Sequence, residues 1–211
     1  MIGIKAIASY VPNQVRDNIA QAEKFGKNEQ FVKERIGALR LPLKAEDEDT
    51  SDLAVKAVEN LLKSSDTERA LIDCLVLCTQ NPDGRGLPHT SAIVQDKLGL
   101  SDEVAALDIS LGCSGYVYGL VLIKGFMQAA VLKHGILVTA DPYSKIVDQQ
   151  DSNTAMLFGD AASATLITDA PVLNIGESLF GTDGSGAMNL VNQQGLLHMN
   201  GRQIFNFAAS R

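Results

Sequence analysis

A chain of 211 residues, 45% of them apolar, can bury a sizeable core, which excludes a disordered protein. Its 18 basic and 25 acidic side chains leave a net charge of −7 with no long Lys/Arg run, which argues against a nucleic-acid partner. Three cysteines, an odd number, do not suggest a disulfide framework, so any cysteine chemistry should be catalytic.

The opening Met1-Ile2-Gly3-Ile4-Lys5 reads as the start of a strand over 2–10. It lacks a basic region followed by an apolar stretch and cleavage site, so a cytoplasmic location is expected. Helices are predicted at 18–25 and 29–36. The acidic run 46–49 reads as a solvated loop entering the clearest helix, 51–64. There Leu53, Ala54, Ala57, Val58, Leu61 and Leu62 recur at helical spacing, opposite Lys56, Glu59 and Lys63. In a predicted strand over 72–79, Cys74 and Cys78 stand four apart and share one face, as core cysteines would. Asp83-Gly84-Arg85-Gly86 and the later glycine-rich 181–186 lack the lysine and the strand-to-helix context of a phosphate loop, and read as turns.

A helix is predicted at 90–98, after Pro88 and before Gly99, followed by a strand at 104–110. The most apolar segment, 116–132, is interrupted by Lys124, Gly119 and Gly125 and is short for a membrane span; it reads as a buried helix. Strands are predicted at 136–140, 161–168 and 172–180, with helices in the intervals. From Asp169 onward strands and glycine-rich turns dominate, and residues from Gln203 read as the first turns of a helix. Short β-branched runs interleaved with helical patterns indicate an α/β sheet with helices on its faces. His89, His134 and His198 are scattered without a paired ligand motif, so no metal site is expected.

Between the strand at 104–110 and the apolar helix lies the tight turn Gly112-Cys113-Ser114-Gly115. This puts Cys113 at a helix N-terminus, where unpaired N–H groups and the positive end of the dipole favour a thiolate nucleophile. Small neighbours admit a substrate carbonyl, and the Cys113 N–H could stabilise an oxyanion. Local chemistry leaves a second reading open, a small residue buried where strand meets helix.

Several motifs occur in an informative order. They are Ala8-Ser9-Tyr10-Val11-Pro12, the 31–37 segment, the 108–116 turn, Phe158-Gly159-Asp160-Ala161-Ala162-Ser163-Ala164, Thr182-Asp183-Gly184-Ser185-Gly186, and 199–205. In that order and spacing the chain resembles the β-ketoacyl-acyl-carrier-protein synthases III of the thiolase superfamily. The resemblance implies an α/β thiolase-like fold, a mixed sheet covered by helices. Residues 1–170 would be the first half of a two-fold pseudo-repeat, and 171–211 the crossover strands and the start of a second half.

It further implies a ping-pong acyltransferase in which Cys113 takes an acyl group from a thioester of acyl carrier protein or coenzyme A. A decarboxylating malonyl thioester then attacks the acyl enzyme, with no bound cofactor. Leu157, Met199, Gly201 and Phe205 match positions lining the acyl and pantetheine channel, though core packing also explains each. Leu87 matches a loop reaching toward the partner's pocket in the family's homodimers, whose sheets join through edge strands near the nucleophile helix.

Phe31 and Ser152 match the tryptophan and arginine that hold the adenine of coenzyme A in relatives, while Arg35 matches a retained arginine. Phenylalanine still stacks, but serine supplies no guanidinium, which favours a carrier-bound or specialised donor over acetyl-coenzyme A. The family's catalytic histidine and asparagine align beyond residue 211, and His198 aligns with a structural strand position. The 211 residues alone are therefore expected to be inactive and to expose apolar surface. Acyl transfer to oxygen or nitrogen, and a non-catalytic partner subunit, are the competing functions. A papain-type hydrolase has no support in the strand order.

Overall fold

A computed structural model describes residues 1–210, which form two compact units. The first comprises residues 1–12, 44–142 and 160–178. Its centre is a six-stranded mixed sheet built from β1 (Gly3–Tyr10), β4 (Cys74–Cys78), β5 (Ala105–Ile109), β6 (His134–Ala140), β7 (Ala162–Thr168) and β8 (Leu173–Asn174), in the order β5-β4-β6-β7-β1-β8. Strands β5, β4 and β6 are parallel, and the remaining pairings are antiparallel. Three helices accompany the sheet: α3 (Thr50–Ser65), α4 (Thr90–Leu98) and α5 (Gly115–Ala130).

The period of two along the central strands sends alternate side chains to opposite helix layers. Leu75 and Leu77 of β4, with Ile136 and Val138 of β6, pack against Leu53, Leu61 and Val94 of α3 and α4. Cys74 and Val76, with Leu137 and Ile167, pack against Ile123 and Met127 of α5. Both cysteines of β4 are buried, as their spacing predicted. At the N-terminal end of the parallel strands Asp73 ties three segments together. Its carboxylate accepts the N–H groups of Lys133 (2.8 Å) and His134 (2.9 Å), and its carbonyl accepts that of Ala105 (3.0 Å).

The second unit comprises residues 13–43, 143–159 and those from Leu179 onward. In it β2 (Gln14–Asp17) pairs antiparallel with β3 (Arg40–Leu43). Between them lie α1 (Asn18–Lys24) and α2 (Glu29–Phe31), the latter continuing as a π-helical turn over Val32–Ile36 that ends on left-handed Gly37. β9 (Leu190–Gln193) and β10 (Leu196–Met199) form a hairpin. Positive φ at both Gln194 and Gly195 gives its two-residue loop the twist that suits paired strands. α6 (Gly201–Ala209) follows, capped by the Asn200 side chain. Small clusters around Ala22, Val32 and Met156, and around Val147, Ala155 and Leu197, fill this unit.

Three expectations are corrected. The strand at 172–180 shrinks to Leu173–Asn174, because β8 runs toward the start of β1 and pairing stops at Gly3. No helix fills 141–160; a 3-10 turn at Tyr143–Lys145 and a series of Asp-centred turns do so. Asp148 accepts the Gln150 N–H, and Asp151 the Asn153 N–H and Thr154 hydroxyl, side-chain bonds that compete with a helical backbone. The acidic run 46–49 is also not simply solvated. Glu48 accepts from Lys56 and from the Ala45 N–H (2.6 Å), while Asp49 and Asp52 form a reciprocal capping box on α3.

Burial raises the Glu48 carboxyl, but the hydrogen bonds from Lys56 and Ala45 together outweigh it and hold the group below the ordinary glutamate range. Asp52 is held low in the same way by Lys97 and the Asp49 N–H. Both folded values lie below the unfolded ones. Their stabilisation is therefore complete above the ordinary carboxylate range and is lost as pH falls through the depressed folded values. Denaturant titrations between about pH 6 and pH 3 should show stability falling less steeply in Glu48→Gln than in the parent. Equal slopes would remove Glu48 from this account.

Candidate active site

Parallel strands present their carboxyl ends on one side of a sheet, where open α/β sheets bind ligands. Here the C-terminal ends of β4, β5 and β6 bring together Thr79, Gln80 and Asn81, the turn carrying Cys113, and Asp141. The turn is closed by the Gly115 N–H donating to the Gly112 carbonyl at 2.8 Å, which leaves Cys113 and Ser114 as its central residues. Cys113 is exposed, so the buried-residue reading does not describe it.

Close approach requires the second glycine of the turn and crowds the first only against a movable side chain. A Cβ on Gly112 would stand 2.7 Å from the Gln80 Oε1, and one on Gly115 would collide with the Cys78 Sγ. Cys78 lies beneath the turn and donates to the Leu111 carbonyl at 3.2 Å. Burial pushes its thiol up, and the charge of Asp141 adds to that. The Thr79 N–H donates to the Ile109 carbonyl at 3.1 Å, joining the ends of β4 and β5.

Helix capping separates α5 from the other helices among the described residues. Asp17, Asn28, Asp49 and Asn200 accept first-turn N–H groups of α1, α2, α3 and α6. For α4 the acceptor is Asp108 of β5, which takes the Thr90 and Ser91 N–H groups at 2.7 and 2.8 Å. No side chain caps α5, directly behind Cys113. Beyond the Gly115 N–H, which closes the turn, its first-turn donors and the positive end of its dipole are thus left for an external anion or oxyanion.

Asp141 sits at the base of this corner. One carboxylate oxygen accepts from the Asn81 side-chain amide (2.5 Å), the Gln80 N–H (3.2 Å) and the Thr79 hydroxyl (3.4 Å). Burial pushes its carboxyl above the ordinary range, opposed by the Asn81 hydrogen bond. Asp141, Gln80 and Cys78 were not predicted as site residues. Only the proximity of strand ends about 60 residues apart in sequence reveals them.

Of the predicted residues, Cys113 and Leu87 lie in the first unit, and Phe31, Arg35, Leu157, Met199, Gly201 and Phe205 in the second. Leu87, Leu157 and Phe205 are 86%, 40% and 71% exposed, so core packing does not account for them. Phe31 is half-buried against Val32 and Met156, with the Lys27 Nζ 5.4 Å from its ring centre. Arg35 is exposed on the π-helical turn. Met199 ends β10, Gly201 opens α6, and Phe205 follows one turn later. A cavity of about 410 Å³ in the second unit, lined by Asp183, Leu190, Gln203, Ile204 and Phe207 among others, includes none of the predicted channel residues. Among the described residues no helix is long and apolar enough to cross a membrane.

Comparison with known proteins bears on the corner around Cys113. The 3-oxoacyl-[acyl-carrier-protein (ACP)] synthase III family matches residues 107–184. A β-ketoacyl-[acyl-carrier-protein] synthase III of Geobacillus kaustophilus is 35% identical over 207 residues, covering 98% of this chain and 66% of that protein. The chain thus spans just under two thirds of that curated relative's length. A crystal structure of a 3-oxoacyl-(acyl-carrier-protein) synthase III superposes with a TM-score of 0.92 at 32% identity, over 100% of this chain and 70% of the other. The β-ketoacyl-[acyl-carrier-protein] synthase III of Thermus thermophilus gives 0.90 at 33%, over 99% and 68%. With sequence and backbone agreeing along nearly its whole length, the chain belongs to the β-ketoacyl-acyl-carrier-protein synthase III family, with its thiolase-like α/β fold.

Proposed function

We propose that this chain carries the nucleophile of a condensing acyltransferase, and that Cys113 is the group acylated. The observation that carries this reading is an exposed thiol at the carboxyl ends of three parallel strands, in front of the one α-helix among the described residues whose N-terminus no side chain caps. The Cys113 Sγ attacks a thioester carbonyl, forming a carbon–sulfur bond and a tetrahedral oxyanion that can accept hydrogen bonds from the uncapped first-turn N–H groups of α5. Collapse of that intermediate expels the donor as a thiolate, which takes a proton from solvent to become the free thiol. In condensation a malonyl thioester loses CO₂, its carbanion attacks the acyl carbon, and the bond to Cys113 breaks as the carbon–carbon bond forms.

The proposal takes residues 1–170 as the half bearing the nucleophile and 171–211 as crossover strands and the start of a second half. Its donors are thioesters of acyl carrier protein or coenzyme A, in fatty-acid, polyketide or related biosynthesis in the cytoplasm. Phe31 and Ser152 in place of a tryptophan–arginine pair favour the carrier-bound or a specialised donor. Arg35, Leu157, Met199, Gly201 and Phe205 are its proposed contacts with the acyl-pantetheine arm. Leu87 would contact the partner in a homodimer joined through the outer edge of β5.

Intact-mass measurement on the full-length protein after incubation with a panel of acyl-coenzyme A and acyl-carrier-protein thioesters should show one acyl group gained, and none in Cys113→Ala. No adduct from any donor would favour a non-catalytic subunit instead. A larger yield from acetyl-coenzyme A than from every carrier-bound donor would refute the donor preference.

A further inference from the structure

We infer that Asp141 is a positioning residue that fixes the nucleophile turn through Gln80. Its carboxylate gathers the end of β4 by three donors, from Thr79, Gln80 and Asn81. Held there, Gln80 projects its side-chain amide into the space that a side chain at position 112 would occupy. Gly112 directly precedes Cys113, so the amide forms one wall of the turn. A second wall is Cys78, which packs under Gly115 and bonds the Leu111 carbonyl. The Thr79–Asn81 segment is also braced within itself, the Asn81 N–H donating to the Thr79 hydroxyl at 3.0 Å, and tied to α3, the Asn81 carbonyl accepting from the Thr50 hydroxyl.

The chain Asp141–Gln80–Gly112 is therefore a contiguous path from the end of β6, across the end of β4, to the residue before Cys113. Acyl transfer needs an oxyanion held by fixed donors, and misplacement by about 1 Å costs on the order of 10²-fold in rate. Alkylation of the same thiol by iodoacetamide forms no oxyanion and needs no such donors. A defect in turn position should therefore separate the two reactions. The effect on acyl transfer rests on the function proposed above, whereas the effect on the turn does not.

The test is hydrogen exchange by mass spectrometry on the full 211-residue chain. In Asp141→Ala, amides at 79–81 and 110–115 should exchange about tenfold faster, with β6 and β7 unchanged. Asp141→Asn keeps an acceptor oxygen and should stay within about threefold of the parent. Should Asp141→Ala fail to fold, Gln80→Ala serves in its place. It removes the amide from Gly112 and should loosen 110–115 while leaving the Asp141 bonds to Thr79 and Asn81. Parent-like exchange at 110–115 in the folded variant would overturn the inference. Where the parent accepts an acyl group, Asp141→Ala should slow acylation about tenfold, with iodoacetamide labelling of Cys113 within about threefold. Parent-rate acylation would also overturn the inference. A parent that accepts no acyl group from any donor would defeat the proposed function alone, and the exchange result would still decide the role of Asp141.

Discussion

Brief treatment of the folded chain with iodoacetamide at about pH 8 should label Cys113 and leave Cys74 and Cys78 unlabelled. The three thiols differ in access, and burial also suppresses ionisation of Cys74 and Cys78. Cys74 is fully buried, and burial, with the Asp73 charge beside it, pushes its thiol up to about 12. At pH 8 only about one such thiol in 10⁴ is a thiolate. Cys78 is 3% exposed and is also pushed up by burial. Cys113 is open to the reagent. Peptide mapping should find native label on Cys113 in excess of the other two by about 10³-fold, and on all three after denaturation. Cys113→Ala should leave the native chain unlabelled. Comparable native labelling of Cys78 would contradict the packing described beneath the turn.

The second large effect concerns the glycines flanking that cysteine. Gly115→Ala places a methyl group against the buried Cys78 Sγ and 3.3 Å from the Leu111 Cβ. Neither neighbour can swing away, since Cys78 is short and locked in β4. The helix must lift from the strand, an overpacking expected to cost about 1–3 kcal/mol, and more for Gly115→Val. Gly112→Ala meets only the end of the flexible Gln80 side chain and should cost well under about 1 kcal/mol. Denaturant melts of the two alanine variants provide the comparison, and equal losses would count against the difference. The variant that folds nearly unimpaired should still disturb the turn, because it displaces the Gln80 amide.

Apolar runs carried the sheet, and periodicity the main helices. The short runs at 72–79 and 136–140, buried on both faces, and the apolar spacing of Leu53, Ala57 and Leu61 are consequences of burial, and burial is what a sequence pattern records. Cys113 was legible because strand, tight glycine turn and apolar helix are contiguous in the chain. Asp141 was not, since a single polar residue after a strand carries no period, and its partners come from the far side of two crossovers. The unpaired N–H groups at the start of α5 were read from the turn, but their contrast with the caps elsewhere was hidden, one of those caps being supplied to α4 by Asp108. The missing helix at 141–160 shows local side-chain hydrogen bonding winning over helix formation, in a stretch where Asp148, Asp151 and Thr154 all bond nearby groups.

The parallel strands have two unlike ends. At one, Asp73 laces together the starts of β4, β5 and β6 through its carboxylate and its carbonyl, and the thiol there, Cys74, is buried. At the other, the segments after each strand meet around Cys113. Variation in the second group can therefore retune reactivity while the laced end preserves strand order and register. Substitution at the mouth of the sheet thus carries little risk to the architecture that presents it.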